Sequence, residues 1–257
     1  MPRSIWNGTI TLGTIAVPIK VYSALENRSV HFHQVHARDG ARIEHKRICP
    51  TENEEVPYSE IVKGFEVAPD EYVVLEKDES KAAAGPRSRR LDIEEFVDAA
   101  VIDPVFYERT YYLGVRDAPD AYRVLHDALA RTRRSGIARW HYHNREYVVA
   151  LRALDGILAM HTMRFHDELV RSEALQVQEP SRRPTDREIE MAGALVENLH
   201  VKFDPQDFND TYRQRVLDYL EQKRQGRAPE PPPAEHRPQS DDLLAALKAS
   251  IDAGRAA

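Results

Sequence analysis

Apolar and polar residues alternate along several short stretches of the first 165 residues, and this period of two predicts β-strands. In the clearest stretch the apolar positions are Ile15, Val17, Ile19 and Val21. Pro18 lies within it and has no N–H to donate to a ladder, which predicts an edge strand or a bulge. Residues 30–35 and 71–75 also have strand patterns, and residues 157–165 are apolar on both faces, as in a central strand. The first part of the chain is therefore expected to be mainly β.

The pattern changes to a helical period after Pro184. Thr185 and Glu188 form a capping box ahead of an apolar stripe, and a second helix is predicted between Pro205 and Gly226. The fold class is therefore α+β, mainly β. The two apolar stripes need a surface to cover, either in a domain of their own or on a second subunit.

A basic stretch stands out in a chain whose formal net charge is −6. Between Arg123 and Arg152, seven arginines face two acidic residues, so the local charge is +5. An extended conformation of residues 137–145 puts one set of side chains on one face, namely Arg139, His141, His143 and Arg145. The opposite face then carries Ala138, Trp140 and Tyr142. Such segregated charge indicates a polyanion such as DNA, although a strand with one wet face would look the same.

A helix is predicted to begin at Pro119 and to end in basic residues before Gly136. Arg133 and Arg134 are therefore open to two interpretations, because cations also stabilise the negative end of a helix dipole. The same alternative does not apply to Arg139 and Arg145, which follow in the next predicted strand.

Other functional classes receive little support. No apolar run approaches the ~20 residues of a membrane span, no signal peptide is recognised, and Cys49 is the single cysteine, so a cytoplasmic protein is expected. Binding to DNA would make it nucleoid-associated. The histidines at 31, 33, 36 and 45 and Cys49 match no common zinc spacing. No catalytic constellation is suggested by spacing, so we predict neither a metal, a cofactor nor an enzymatic activity.

The C-terminal part is predicted to be a tethered docking segment. Residues 227–240 are rich in proline and form a semi-rigid linker. Residues 241–257 contain a short helix with an apolar stripe of Leu243, Leu244, Leu247 and Ile251. A helix of this length is marginal alone, so it either docks onto a partner, packs on its own core or frays.

These motifs resemble the prokaryotic Ku family, the DNA-end-binding proteins of bacterial non-homologous end joining. The matching segments are residues 3–10, 17–22, 46–50, 55–66, 111–114, 136–140, 145–147, 150–152, 203–205 and 242–250. Some members have a Cys-x-x-Cys where Cys49 is followed by Glu52 here, and many carry a long lysine-rich tail that this chain lacks.

The resemblance implies a Ku-type β-barrel core with DNA-encircling segments at residues 1–180 and a dimerising helical arm at residues 181–226. It implies a homodimeric ring that threads onto double-stranded DNA ends whatever their sequence, and a terminal helix that recruits the ATP-dependent repair ligase. The candidate DNA-binding residues are Arg139, Arg145, Arg133, Arg134, Lys20, Lys46, Arg47 and Arg152. A sequence-specific regulator and a scaffold that ignores DNA are the alternatives.

Overall fold

The computed structural model describes residues 2–76, 79, 88–143, 145–175 and 182–227. The chain divides into two compact units, one of residues 1–27 and 33–172 and one of residues 28–32 and 173–257. Apart from Arg227, the predicted linker and docking helix lie outside the described residues.

Nine strands are described, all in the first unit. They are β1 (Trp6–Leu12), β2 (Ile15–Ser23), β3 (Lys63–Ala68), β4 (Glu71–Leu75), β5 (Arg90–Asp98), β6 (Tyr107–Val115), β7 (Arg134–Tyr142), β8 (Arg145–Leu154) and β9 (Ile157–Met163). Seven close a barrel in the order β1-β2-β6-β9-β8-β7-β5, with only β1 and β5 parallel. The mainly β, barrel-type fold is confirmed.

The barrel closes because alternate residues of every strand supply an apolar interior. Trp140 is fully buried there, in a T-shaped contact with Trp6 and stacked on Tyr142 at 4.6 Å between ring centroids. The other fully buried large side chains are Ile10, Val17, Ile19, Val21, Leu91, Leu113, Val149, Leu151, Leu158, Met160 and Thr162. The outward residues of the same strands are consequently free to carry charge.

Pro18 does not mark an edge, because β2 pairs with both β1 and β6. The Pro18 carbonyl accepts a hydrogen bond from the Arg116 backbone N–H at 3.2 Å, one residue beyond the end of β6. The N–H that proline lacks would point to the same side, where the ladder has already ended. The predicted edge position is therefore wrong, and the register of β2 with β1 and β6 has no bulge at Pro18.

Helix α1 (Pro119–Thr132) packs on the barrel and places Tyr122, Leu125 and Leu129 in its core. The Tyr122 hydroxyl donates to the Leu113 carbonyl at 2.5 Å and accepts from the Leu158 N–H at 2.7 Å. The helix ends at Arg133, whose φ of 55° is left-handed, so the predicted end at Gly136 is wrong. Gly136 lies within β7, where Phe96 and Ile93 pack closely over it.

Strands β3 and β4 form a separate two-stranded hairpin in which every residue is exposed. The strand predicted at residues 30–35 is wrong, since only an isolated bridge between Val35 and Arg42 is present there. Single 3-10 turns occur at Tyr58–Glu60, Ala99–Val101, Pro104–Phe106, His166–Glu168, Ser172–Ala174 and Pro205–Asp207.

The second unit contains helices α2 (Asp186–Asn198) and α3 (Thr211–Arg224). The predicted capping box is confirmed, and hydrogen bonds from Arg182 and Thr185 hold the pKa of the buried Glu188 well below its usual range. Gly226, with φ of 76°, ends α3, because its N–H and that of Arg227 satisfy the last free carbonyls. Among the helices described, none is long and apolar enough to cross a membrane.

Candidate nucleic-acid interface

The predicted alternation along β7 is confirmed where the strand is regular. Ala138 and Trp140 are buried in the barrel, whereas Arg139 points outward and is exposed. The strand pairs with β8 in a hairpin in which Tyr142 lies directly opposite Arg145. Arg139 and His141 therefore lie on the outer wall of the barrel.

Arg145 does not share this face with Arg139. Directly opposite residues of an antiparallel pair point to the same side, so Arg145 lies on the side of Tyr142. His143 has a φ of 49° and lies outside both strands. The predicted four-residue ribbon is thus wrong beyond His141, because the chain reverses direction before reaching Arg145.

The Arg139 guanidinium is held by two carboxylates. Its Nε lies 2.9 Å from Glu94 Oε1 and its Nη1 lies 2.6 Å from Glu146 Oε1. The second carboxylate also lies 3.1 Å from His141 Nε2. These hydrogen bonds, led by the one to Glu146, raise the pKa of Arg139. A phosphate at this position would therefore have to displace at least one carboxylate.

Arg133 and Arg134 are separated by the end of α1. Arg133 is the left-handed residue that terminates the helix, and it is exposed without an ion pair to another described residue. Arg134 is the first residue of β7, and its Nε lies 3.4 Å from Asp98 Oδ1. The favourable interaction of a cation with the negative end of the helix dipole therefore applies to Arg133. Arg134 instead lies beside the acidic residues of β5.

Lys46 and Arg47 lie in the long connection between β2 and β3. Lys46 Nζ makes a 2.9 Å ion pair with Glu55, which raises the pKa of the lysine. The Arg47 guanidinium lies 5.4 Å from the centroid of the Tyr58 ring, in a cation–π arrangement. Both cations are exposed, but each already has a partner.

Lys20 and Arg152 lie on a different part of the outer wall. Strands β2 and β9 contain no Asp or Glu, and the acidic residues of β6 and β8 lie only near their starts, at Glu108 and Glu146. We call the outward side chains of this region the acid-free face: Lys20, Tyr22, Thr110, Tyr112, Ala150, Arg152, Ala159 and His161. Neither Lys20 nor Arg152 forms an ion pair with another described residue.

Register fixes the order of side chains across the acid-free face. Tyr22 lies opposite Tyr112, Tyr112 opposite Ala159, and Ala159 opposite Arg152. In the next row, Thr110 lies opposite His161 and His161 opposite Ala150. The face thus combines free cations with tyrosine hydroxyls around small residues, which suits contact with an anionic backbone.

Thr110, Tyr112 and His161 were not among the predicted site residues. The alternation within residues 107–115 indicates that Thr110 and Tyr112 share a face, but no local pattern indicates that β9 lies between β6 and β8. Within the described residues, no group of three or more His, Cys, Asp or Glu side chains is arranged to hold a metal ion.

Comparison with known proteins identifies the family. The family described as the Ku70/Ku80 beta-barrel domain matches residues 11–191. The chain is 41% identical to the non-homologous end joining protein Ku of Anaeromyxobacter sp. (strain K), over 99% of its own length and 87% of that protein. It is 35% identical to the protein of that name from Solibacter usitatus, over 98% of its length and 94% of the relative. It is also 40% identical to the non-homologous end joining protein Ku 1 of Saccharopolyspora erythraea, covering 99% and 80% of the two chains. With a closed barrel spanning the matched residues, the chain belongs to the Ku family of bacterial non-homologous end joining proteins.

Proposed function

We propose that this protein binds the ends of double-stranded DNA, independently of sequence, as a homodimeric ring threaded by the duplex. We further propose that it recruits and stimulates the ATP-dependent ligase that seals the break. The observation that carries the proposal is similarity over nearly the whole chain to relatives named as non-homologous end joining Ku proteins. The protein itself catalyses no step.

The charge distribution supports contact with the DNA backbone. The acid-free face offers Lys20 and Arg152 at fixed positions on a rigid barrel wall, as binding to phosphates at any sequence requires. A sequence-specific regulator would instead place an exposed helix in the major groove. Helix α1 of the barrel unit buries a face in the core, and its exposed Arg123 is paired with Asp127 at 3.0 Å.

Retention on DNA should depend on free ends. We expect tight binding to a linear duplex and weak binding to the same sequence as a covalently closed circle, because a closed ring can load only over an end. Blocking both ends of preloaded linear DNA with a bulky protein should slow dissociation. Equal affinity for the linear and circular forms would exclude threading, and a strong preference for one sequence would favour the regulator.

Arg139 provides a second prediction. If it contacts phosphate, Arg139→Ala should weaken binding to every sequence and reduce the slope of log affinity against log salt by about 0.9. Glu146→Gln should do the reverse and tighten binding roughly two- to fivefold, because it removes a competitor for the guanidinium. Both effects are measurable by fluorescence anisotropy of a labelled duplex.

Glu44→Gln is the control, since it removes a negative charge from an exposed residue without an ion pair to another described residue. If Glu146→Gln changes affinity no more than this control does, Arg139 serves only to join β5 to β8.

A further inference from the structure

The centre of the acid-free face contains two buried polar atoms without a hydrogen-bond partner among the described residues. They are Nε of Arg152 and Nε2 of His161. His161 is only 6% exposed although it points outward, and Arg152 is close enough to influence its charge. A buried polar atom without a hydrogen bond lowers the stability of the folded protein, so two such atoms on one surface need a specific explanation.

The hydrogen-bonding chemistry of the patch indicates what is missing. His161 Nδ1 lies 3.0 Å from the Thr110 hydroxyl. Arg152 Nε carries an N–H whatever the tautomer of the histidine, so its absent partner is an acceptor. We assign the tautomer in which the Thr110 hydroxyl donates to Nδ1 and Nε2 carries the imidazole hydrogen, so that His161 presents a second N–H donor.

The surroundings favour an anion over a neutral acceptor. Arg152 contributes a full positive charge with no carboxylate paired to it among the described residues. Ala159 lies opposite both Arg152 and Tyr112, and Ala150 lies opposite His161, so each donor has an alanine as a cross-strand neighbour. Guanidinium and N–H donors are suited to a phosphate oxygen.

We propose that Arg152, His161 and Thr110 form a binding site for one phosphate of the bound DNA backbone on the outer wall of the barrel. This inference rests on the proposed DNA binding and adds a phosphate contact on β8 and β9 to the contact tested at Arg139. Arg152 makes the direct charged contact, His161 donates a second hydrogen bond, and Thr110 positions the imidazole.

The first test compares Arg152→Gln with Arg116→Gln, a control that removes the same charge from a residue paired with Asp117. Arg152→Gln should weaken binding to linear duplex DNA about tenfold and lower the salt slope by about 0.9, as expected for one lost phosphate contact. Arg152→Lys should keep the slope but weaken binding about threefold, because lysine lacks the planar donor set. Thermal unfolding of each variant verifies that the barrel is intact.

The second test follows the His161 imidazole by NMR, with the signal assigned through His161→Gln. Burial, followed by the charge of Arg152, lowers the pKa of His161 to about 4 in the free protein. The groups placed against it are Thr110 and the Tyr107 ring from β6 and Arg152 from β8. A phosphate beside Arg152 would offset its charge and raise this pKa, so DNA affinity should increase as pH falls, and His161→Gln should reduce that increase.

The probes are a short duplex and inorganic phosphate. The proposed phosphate site is supported if the duplex raises the His161 pKa in the wild-type protein but not in Arg152→Gln. A rise with inorganic phosphate but none with duplex identifies a free-anion site and overturns the assignment to DNA. No response to either, with Arg152→Gln binding DNA as Arg116→Gln does, means that water alone satisfies the donors, which also overturns it. Failure of the wild-type protein to bind linear DNA would instead refute the proposed function.

Discussion

Replacing Phe65 and Val73 together with aspartate should convert the protein from a dimer to a monomer and abolish its end-dependent binding to DNA. The two residues are cross-strand neighbours on one face of the β3–β4 hairpin and are 73% and 56% exposed. Leu75, two residues beyond Val73 in β4, extends the same apolar face, and the exposed Val67 lies at the bulge of β3. A lone two-stranded hairpin is at best marginally stable in water, so we expect another surface to cover this apolar face.

A second copy of the chain is the expected cover, because a ring around DNA needs two copies to close. Burying each of these side chains contributes about 1.5–3 kcal/mol, and an aspartate in its place would have to be desolvated. Sedimentation velocity at micromolar concentration should show the wild-type protein as a dimer and the double variant as a monomer. The loss of DNA retention should far exceed that of any single arginine variant.

Glu66→Lys is the matched control, because Glu66 pairs with Tyr72 on the other face of the same hairpin. It should remain dimeric. Near-ultraviolet circular dichroism should retain the signal of the aromatic cluster around Trp140 in every variant. A wild-type monomer that is well folded, or a double variant that still sediments as a dimer, would contradict the prediction.

We expect the helical arm, residues 181–226, to make a second, independent contribution to the proposed dimer. Ile189 and Val196 are seven residues apart on α2, and each is more than half exposed. The apolar stripe predicted to need a covering surface is thus uncovered in the described structure. Aspartate at both positions should weaken dimerisation further if the arm takes part.

Deleting residues 228–257 should abolish stimulation of the partner ligase while leaving the fold, the dimer and end binding intact. Helix α3 ends at Arg224, and the hydrogen bonds that complete its end involve Gly226 and Arg227, both of which this truncation keeps. Leu244, Leu247 and Ile251 have the i, i+3, i+7 spacing of anchors in an apolar groove. Leu244→Asp with Leu247→Asp should therefore reproduce the loss.

Ala249→Glu is the control within the same segment, since in a helix it falls on the side opposite the leucines. The measurement is ligation of linear DNA at equal DNA occupancy by the full-length and variant proteins. Undiminished stimulation by the truncated protein would end the docking hypothesis, whereas a loss caused equally by Ala249→Glu would indicate a general effect on the tail.

Local sequence patterns were sufficient for much of the architecture. Alternation predicted β2 and the regular part of β7, the strand pattern of residues 71–75 predicted β4, and residues apolar on both faces predicted β9. The Thr185 capping box predicted the start of α2, whereas the strand predicted at residues 30–35 is wrong. Motifs in chain order were sufficient for the Ku family, which the comparisons bear out. These predictions are correct because helical and strand periods, caps and motifs depend on residues close together in the chain.

The charge environment of the basic residues depended on the tertiary structure. Arg139 meets Glu94 across 45 positions of sequence, and Thr110 meets His161 across 51. Strand alternation says which way a side chain points but not which strand lies beside it, because strand order is fixed by closure of the whole barrel around its core. Motifs and alternation are enough to predict a Ku-type barrel with arginines on its outer side. How the barrel closes places Glu94 and Glu146 beside Arg139 and leaves Arg152 without an acidic partner among the described residues.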